Sequence, residues 1–209
     1  MNESREQRLW QACTEGDFEV AKELADDPAV EVSWGDPEVG RTPFYRACFF
    51  GRTSVVEYLM RNPRVDVVRQ QSQGCTPFFA ACQEGHKEVV SLLLVDPRID
   101  PNKPKDTGAT PFYIACQNGH KEVVSMLLTD PRIDLNKPDT DQCTPLFIAC
   151  RKGHKEVISL LLADFRINIT CQSHSGETAL EVAFQNKHID ITRQILKIRE
   201  FEFHLLASK

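Results

Sequence analysis

The chain has 209 residues, a formal net charge of −5, and an ordinary globular composition of 41% hydrophobic and 26% charged residues. With no overall basic field to recruit a phosphate backbone, a nucleic-acid partner is disfavoured. The N-terminus is polar with no apolar leader, and the strongest apolar run, Val89 to Val95, is far too short to span a bilayer, so no membrane partner is expected and the chain reads as cytoplasmic, with the nucleus open to it.

In chain order, residues 1–40 form an irregular first unit carrying Trp10, Cys13 and Trp34, with Gln7-Arg8 where later units have Thr-Pro. Four regular units follow, 41–74, 75–108, 109–142 and 143–176, and their Thr-Pro pairs are Thr42-Pro43, Thr76-Pro77, Thr110-Pro111 and Thr144-Pro145. A last unit and tail, 177–209, opens at Thr178-Ala179, and the step between openings is 34 residues throughout. A fixed period of this size marks a solenoid, in which each unit buries its apolar face against its neighbours.

The unit Thr110 to Cys143 shows how the letters build it. Thr110 suits an N-cap and Pro111 the first helical position, where its missing N–H would be unpaired anyway. Phe112, Ala115 and Cys116 give a short first helix one buried stripe, and Gly119 ends it. A second helix from His120 to Thr129 turns Val123, Val124, Leu127 and Leu128 inward, until Pro131 stops it. "LNKPDTDQC" then makes a turn-rich arm to the next Thr-Pro.

A helix, a tight turn, a helix and an arm, with "TPFYIACQNGHKEVVSMLL" in the middle, closely resembles the ankyrin repeat, whose signature is T-P-L-H-x-A and whose period is 33. The resemblance covers essentially the whole chain. It implies an all-α ankyrin-repeat solenoid of helix-turn-helix units with projecting hairpin arms, a single domain over 1–209, capped by the first and last units. Thr192 and Gln194, replacing the apolar Ile158 and Leu160, give the last unit its cap character, and the chain reads as complete. Phe201, Phe203 and Leu205 alternate like a strand yet equally suit an extension of the final helix. The signature's histidine is Tyr45, Phe79, Tyr113 and Phe147 here, with Trp10 in the first unit; its hydrogen bond is expected to give way to aromatic packing. The extra residue per unit falls at "DPRID", read as a slightly larger turn.

No constellation carries catalysis. Cys13, Cys48, Cys82, Cys116 and Cys150 occupy one position in successive units, too far apart for disulfides, and read as reduced core thiols; Cys75 and Cys143 are expected to be partly exposed. His86, His120, His154 and His188, one per unit, cannot converge on a metal and read as structural turn residues. Arg64, Arg98, Arg132 and Arg166 form a ladder with Asp66, Asp100 and Asp134 two residues on, read as an edge of alternating sign. The chain is therefore read as a non-enzyme without cofactor or metal.

By resemblance, the function is a protein–protein interaction module, a monomeric scaffold that binds another protein through its concave face and hairpin tips. At those places the letters change from unit to unit: Val39 and Arg41, Ser72 and Gln73, Asp106 and Thr107, Thr140 and Asp141 at the tips, then Phe49-Phe50, Gln83-Glu84, Gln117-Asn118 and Arg151-Lys152 after the first helices. Phe49 and Phe50 stand out, since the register puts rings where other units put polar residues. At least one is expected to line the groove; the alternative is that Trp34 folds over both. A second class is a modification substrate: Leu128, Asp134, Leu135 and Asn136 fit a spacing associated with asparagine hydroxylation of ankyrin repeats, and Asn102 fits less well because Pro101 takes the hydrophobic place.

Overall fold

The computed structural model describes residues 3–207, with side chains described through Ile198. Its helices, in pairs, are α1 (Arg5–Glu15) and α2 (Phe18–Asp26), α3 (Pro43–Phe49) and α4 (Thr53–Met60), α5 (Pro77–Glu84) and α6 (Lys87–Leu94), α7 (Pro111–Asn118) and α8 (Lys121–Thr129), α9 (Pro145–Lys152) and α10 (Lys155–Leu162), and α11 (Ala179–Gln185) and α12 (Ile189–Ala207). Among the described residues the arms add only one isolated bridge, Gln172 with Thr178, so the fold is all-α.

The chain divides into two compact units, Met1–Pro111 and Phe112–Lys209, and the division falls at the start of a repeat. In the first, α3 packs between α1 and α5 to make one layer, and α4 between α2 and α6 to make the other. In the second, α9 packs on α11, and α10 touches both α8 and α12.

Each first helix starts where its threonine can cap it. The Oγ1 atoms of Thr42, Thr76 and Thr144 accept from the backbone N–H of Tyr45, Phe79 and Phe147 at 3.1, 3.1 and 3.2 Å, with proline at the first helical position. Thr178 has no proline behind it and instead forms a reciprocal capping box with Glu181. The first unit departs from its register. With no proline at position 8, α1 runs back to a capping box between Ser4 and Gln7.

The turn between paired helices needs glycine for two reasons. Gly51, Gly119 and Gly153 have φ of 67°, 77° and 80°, and a Cβ on each would fall within 2.6 Å of the histidine of the next unit. Those histidines are structural: His86 Nε2 donates to the Phe49 carbonyl and His154 Nε2 to the Gln117 carbonyl, both at 2.8 Å. Lys187, with φ 61°, takes the same place in the last turn.

The arginine ladder pairs differently from the expected register. Arg98 binds Asp96, two residues before it rather than after, at 2.6 Å, and donates to the Met60 carbonyl at the end of α4 at 2.9 Å. Arg166 repeats this with Asp164 and the Leu128 carbonyl in α8, and Arg64 reaches the Ala25, Asp27 and Val30 carbonyls. Each thus clasps the C-terminal end of the preceding second helix, where orphan carbonyls and the helix dipole favour a cation. Asp66, Asp100 and Asp134 instead accept from the backbone N–H groups of Val68, Asn102 and Asn136.

The hydrogen bond from Arg98 holds the Asp96 carboxyl below the usual carboxylate range, and Arg132 and Arg166 do the same for Asp130 and Asp164. A carboxyl lowered this way contributes stability above its unfolded pKa of about 3.9 and loses it as pH falls through the folded value. Asp96→Asn keeps an acceptor for the backbone and is expected to lower the melting temperature by about 2–4 °C at neutral pH. Near pH 2 the two proteins should melt together, and an equal deficit at both pH values would contradict the ion-pair account.

The core is the apolar face of both layers, including Leu9, Phe44, Phe78, Leu93, Phe112, Leu127, Ile148 and Ile158. Cys13, Cys48, Cys82, Cys116 and Cys150 are all buried free thiols; burial alone pushes Cys13 and Cys150 up to about 12. Cys75 and Cys143 are buried too, at 4% and 5% exposure, contrary to expectation; each closes its arm, its carbonyl accepting from the backbone N–H of Gln71 or Asp139. Tyr113 also departs from the aromatic-packing expectation: its hydroxyl donates to Asp139 at 2.7 Å, so this unit keeps a hydrogen bond at the signature position.

The arm tips turn at Gly40, Gly74, Gly108 and Gly176, all with positive φ, and at Gln142, whose φ is 60°. A side chain in that region costs about 1–2 kcal/mol, of which glycine's freedom in the unfolded chain returns part. Gln142→Gly is therefore expected to stabilise by about 0.5 kcal/mol, read as a small rise in melting temperature, and a fall would refute the strain.

At the last pair the backbone settles the tail: α12 is helical through Ala207, so residues 201–205 continue a helix, while their side chains lie outside the described residues. Its outer face is less polar than a cap implies. Gln194 points to Ser159 of α10, whereas Phe184 and Leu196 are 65% and 42% exposed. Among the described residues no helix is long and apolar enough to cross a membrane.

Candidate functional site

Thr14, near the end of α1, is where the site begins. Its hydroxyl donates to the Trp10 carbonyl one turn back at 2.8 Å and accepts from Arg46 Nε of α3 at 3.0 Å. Its own carbonyl accepts from Arg52 Nε at 2.9 Å. Two guanidinium groups are thereby fixed over one residue.

Aromatic rings flank them. The Arg46 guanidinium lies 4.1 Å from the Trp10 ring centre and 4.5 Å from that of Phe50, and Arg52 lies 5.9 Å from Phe50. Cation–π contacts of this kind hold a charge in place without an acidic partner. Phe50 meets Phe49 edge to face at 5.0 Å, and Phe49 stacks on Tyr45 at 6.3 Å. Both phenylalanines are half-buried, each keeping part of its surface open. Burial first, then the nearby Arg41 charge, lowers the Arg46 pKa, but a guanidinium stays charged at neutral pH. The Tyr45 phenol is pushed up to about 12, mainly by burial.

Trp34 does not cover the phenylalanines. With Trp10, Asp36, Glu38 and Arg41 it lines a separate depression of about 650 Å³ between α1 and the first arm. Trp10 Nε1 donates to the Arg41 carbonyl at 3.1 Å, and Asp36 accepts from the backbone N–H groups of Glu38, Val39 and Arg41.

In the first compact unit the arms are stitched tip to tip, Ser72 N–H to the Val39 carbonyl at 2.8 Å and Asp106 N–H to the Gln73 carbonyl at 3.1 Å. Val39, Ser72, Gln73 and Asp106 are thus brought into one row, with Thr107 exposed beside it; Gln83 and exposed Glu84 are the last residues of α5, whereas Phe49 ends α3 and Phe50 is its C-cap, so these positions close the first helices and do not follow them. In the second unit Asp141 is linked to His174, Thr140 is exposed, and Arg151, Lys152 and Asn118 are exposed while Gln117 is half-buried. Asn136 is half-buried and engaged at both ends of its amide, donating to the Arg166 carbonyl at 2.8 Å and accepting from Asn168 N–H at 2.8 Å. That is a bridge between successive turns. At Asn102 the backbone N–H donates to the Asp100 carboxylate at 2.9 Å, closing its own turn.

Sequence reasoning missed Arg46 and Arg52. The signal was in the register: positions 46, 80, 114, 148 and 182 read Arg, Ala, Ile, Ile, Val, and positions 52, 86, 120, 154 and 188 read Arg, then four histidines. Arg52 makes the backbone bond to the preceding unit that His86 and His154 make in theirs, and adds a charged fork.

Family models match almost the whole chain: one described as ankyrin repeats (many copies) over residues 9–60, and one described as ankyrin repeats (3 copies) over 62–139 and again over 132–204. The chain is an ankyrin-repeat protein. A comparison with curated proteins finds no significant match. Ankyrin repeats are generally protein–protein interaction modules. Here the frame is the threonine caps, the turn glycines and the arginine clasps; the departures from it are Arg46, Phe49, Phe50 and Arg52.

Proposed function

We propose that this ankyrin-repeat chain is a non-enzymatic scaffold that binds another protein through its first-helix layer and arm tips, with Phe49 and Phe50 as the anchor. One observation carries the reading. Residues that break the repeat's own pattern, Arg46, Phe49, Phe50 and Arg52, come together on one surface around Thr14. Units three to five fold with Gln-Glu, Gln-Asn or Arg-Lys at the phenylalanine positions, so the repeat itself does not demand rings there. Part-open aromatic rings beside arginine are the composition of interface hot spots. The acidic net charge favours a protein over a nucleic acid.

The test is amide hydrogen exchange on a complex isolated by affinity capture. Protection should concentrate in α1, α3, the turn after α3 and the first two arms. Protection confined to α2, α4 and α6 would place recognition on the opposite layer and sink the proposal.

A further inference from the structure

The chemistry of the partner follows from what the guanidinium groups leave unused. Arg46 and Arg52 each spend Nε on Thr14. Among the described residues their outer Nη atoms, and the whole guanidinium of Arg41, have no hydrogen-bond or ion-pair partner. Most other arginines of the same compact unit are occupied, Arg5 with Asp27, Arg61 with Glu57, Arg98 with Asp96, and Arg64 and Arg69 on carbonyls, the exception being exposed Arg8 on α1. Asp36, the carboxylate that Arg46 feels, has its oxygens taken by three backbone N–H groups of its own arm. Two cationic forks, those of Arg46 and Arg52, are thus held beside one apolar patch without an ion pair of their own, and Arg41 lies close enough for Arg46 to feel its charge.

We infer that this surface takes an acidic segment of a partner protein, in which an Asp or Glu carboxylate meets the Arg46 and Arg52 forks, with Arg41 beside them, and an adjacent apolar side chain packs on Phe49 and Phe50. A guanidinium with its Nε pinned still offers paired Nη donors, which match carboxylate geometry, and its fixed position lowers the ordering cost of binding. The rings favour a peptide over a free anion, because an inorganic ion would leave the Phe49 face unfilled. This inference rests on the protein-binding reading and adds the partner's charge to it.

The chain has two tryptophans, so Trp34→Phe leaves Trp10 as the single reporter, with Arg46 lying on its ring. The probes are a synthetic peptide of repeated Glu-Glu-Phe-Leu units, a matched peptide with lysine for glutamate, and inorganic phosphate. The acidic peptide should change Trp10 emission saturably, the lysine peptide should not, and phosphate at equal concentration should give little. Arg46→Gln should weaken the acidic peptide by about tenfold or more. Because Arg46 is half-buried, Arg41→Gln serves as the second variant; its side chain makes no bond in the fold, and a several-fold loss with unchanged melting is expected. No response to the acidic peptide, an equal response to the lysine peptide, or full saturation by phosphate would each overturn the inference. The amide-protection pattern of the captured complex is read separately, so a failed acidic probe with α1 and α3 still protected removes only the partner's charge, and loss of both removes the binding surface as well.

Discussion

Phe50→Gln is expected to weaken a captured partner by about thirtyfold or more, because truncating an interface aromatic anchor costs about 2 kcal/mol or more. The ring is half-open, backed by Phe49 and in contact with two guanidinium groups, so it presents a rigid surface at little ordering cost. Phe49→Gln should act in the same direction and less strongly, since that ring is partly spent on Tyr45. Titration of each variant against the partner, with melting curves in parallel, reads both effects. Undiminished binding by a folded Phe50→Gln protein would move the recognition surface elsewhere.

A large loss of stability from a single methyl group is expected at Gly51. A Cβ there would sit 2.5 Å from His86 Nδ1, and φ of 67° already disfavours a side chain. Relieving the clash means pushing His86 off the Phe49 carbonyl, which it reaches at 2.8 Å. Left-handed strain of about 1–2 kcal/mol and a lost, partly buried hydrogen bond of about 1–2 kcal/mol put Gly51→Ala near 3 kcal/mol. Gly40→Ala is the control: φ is 76° but nothing lies within 4 Å, so only the strain remains, about 1 kcal/mol. Denaturant titration of the pair separates the two costs. Equal losses would mean that the histidine contact contributes nothing.

The repeat frame was legible because its parts are local. Thr144 caps the helix that Pro145 opens, and Gly153 ends it, all within one short stretch of chain. The arginine clasp was not legible in that way. Asp96 and Asp100 are both two residues from Arg98, and the carbonyl that decides between them, Met60, belongs to the preceding repeat. Cys75 and Cys143 failed for a similar reason, since their burial depends on how an arm packs and not on the letters beside them. Tyr113 kept a hydrogen bond because Asp139 of its own arm comes within reach, which spacing alone does not reveal.

Part of the candidate site could be read from register and part could not. Phe49 and Phe50 were visible as rings in a polar column, whereas the place of Trp34 turned on the path of an irregular arm. Arg46 sits in an apolar column and Arg52 in a histidine column, so both were readable as exceptions once every column was compared. Their meeting on Thr14 was not, because it joins the first repeat, whose register is shifted, to the second.

The central claim is that the Arg46, Phe49, Phe50 and Arg52 cluster serves recognition and is not required by the fold. Its most direct test is the thermal midpoint of the combined variant Arg46→Ala, Phe49→Gln, Phe50→Glu and Arg52→His, which gives the second repeat the letters of the third, Ala80, Gln83, Glu84 and His86. Histidine at position 52 can take over the bond to the Thr14 carbonyl, as His86 does for Phe49. The account predicts a midpoint within about 3 °C of the original or above it, a change of about 1 kcal/mol at most. A fall of more than about 8 °C would show that the cluster is part of the core and contradict the claim.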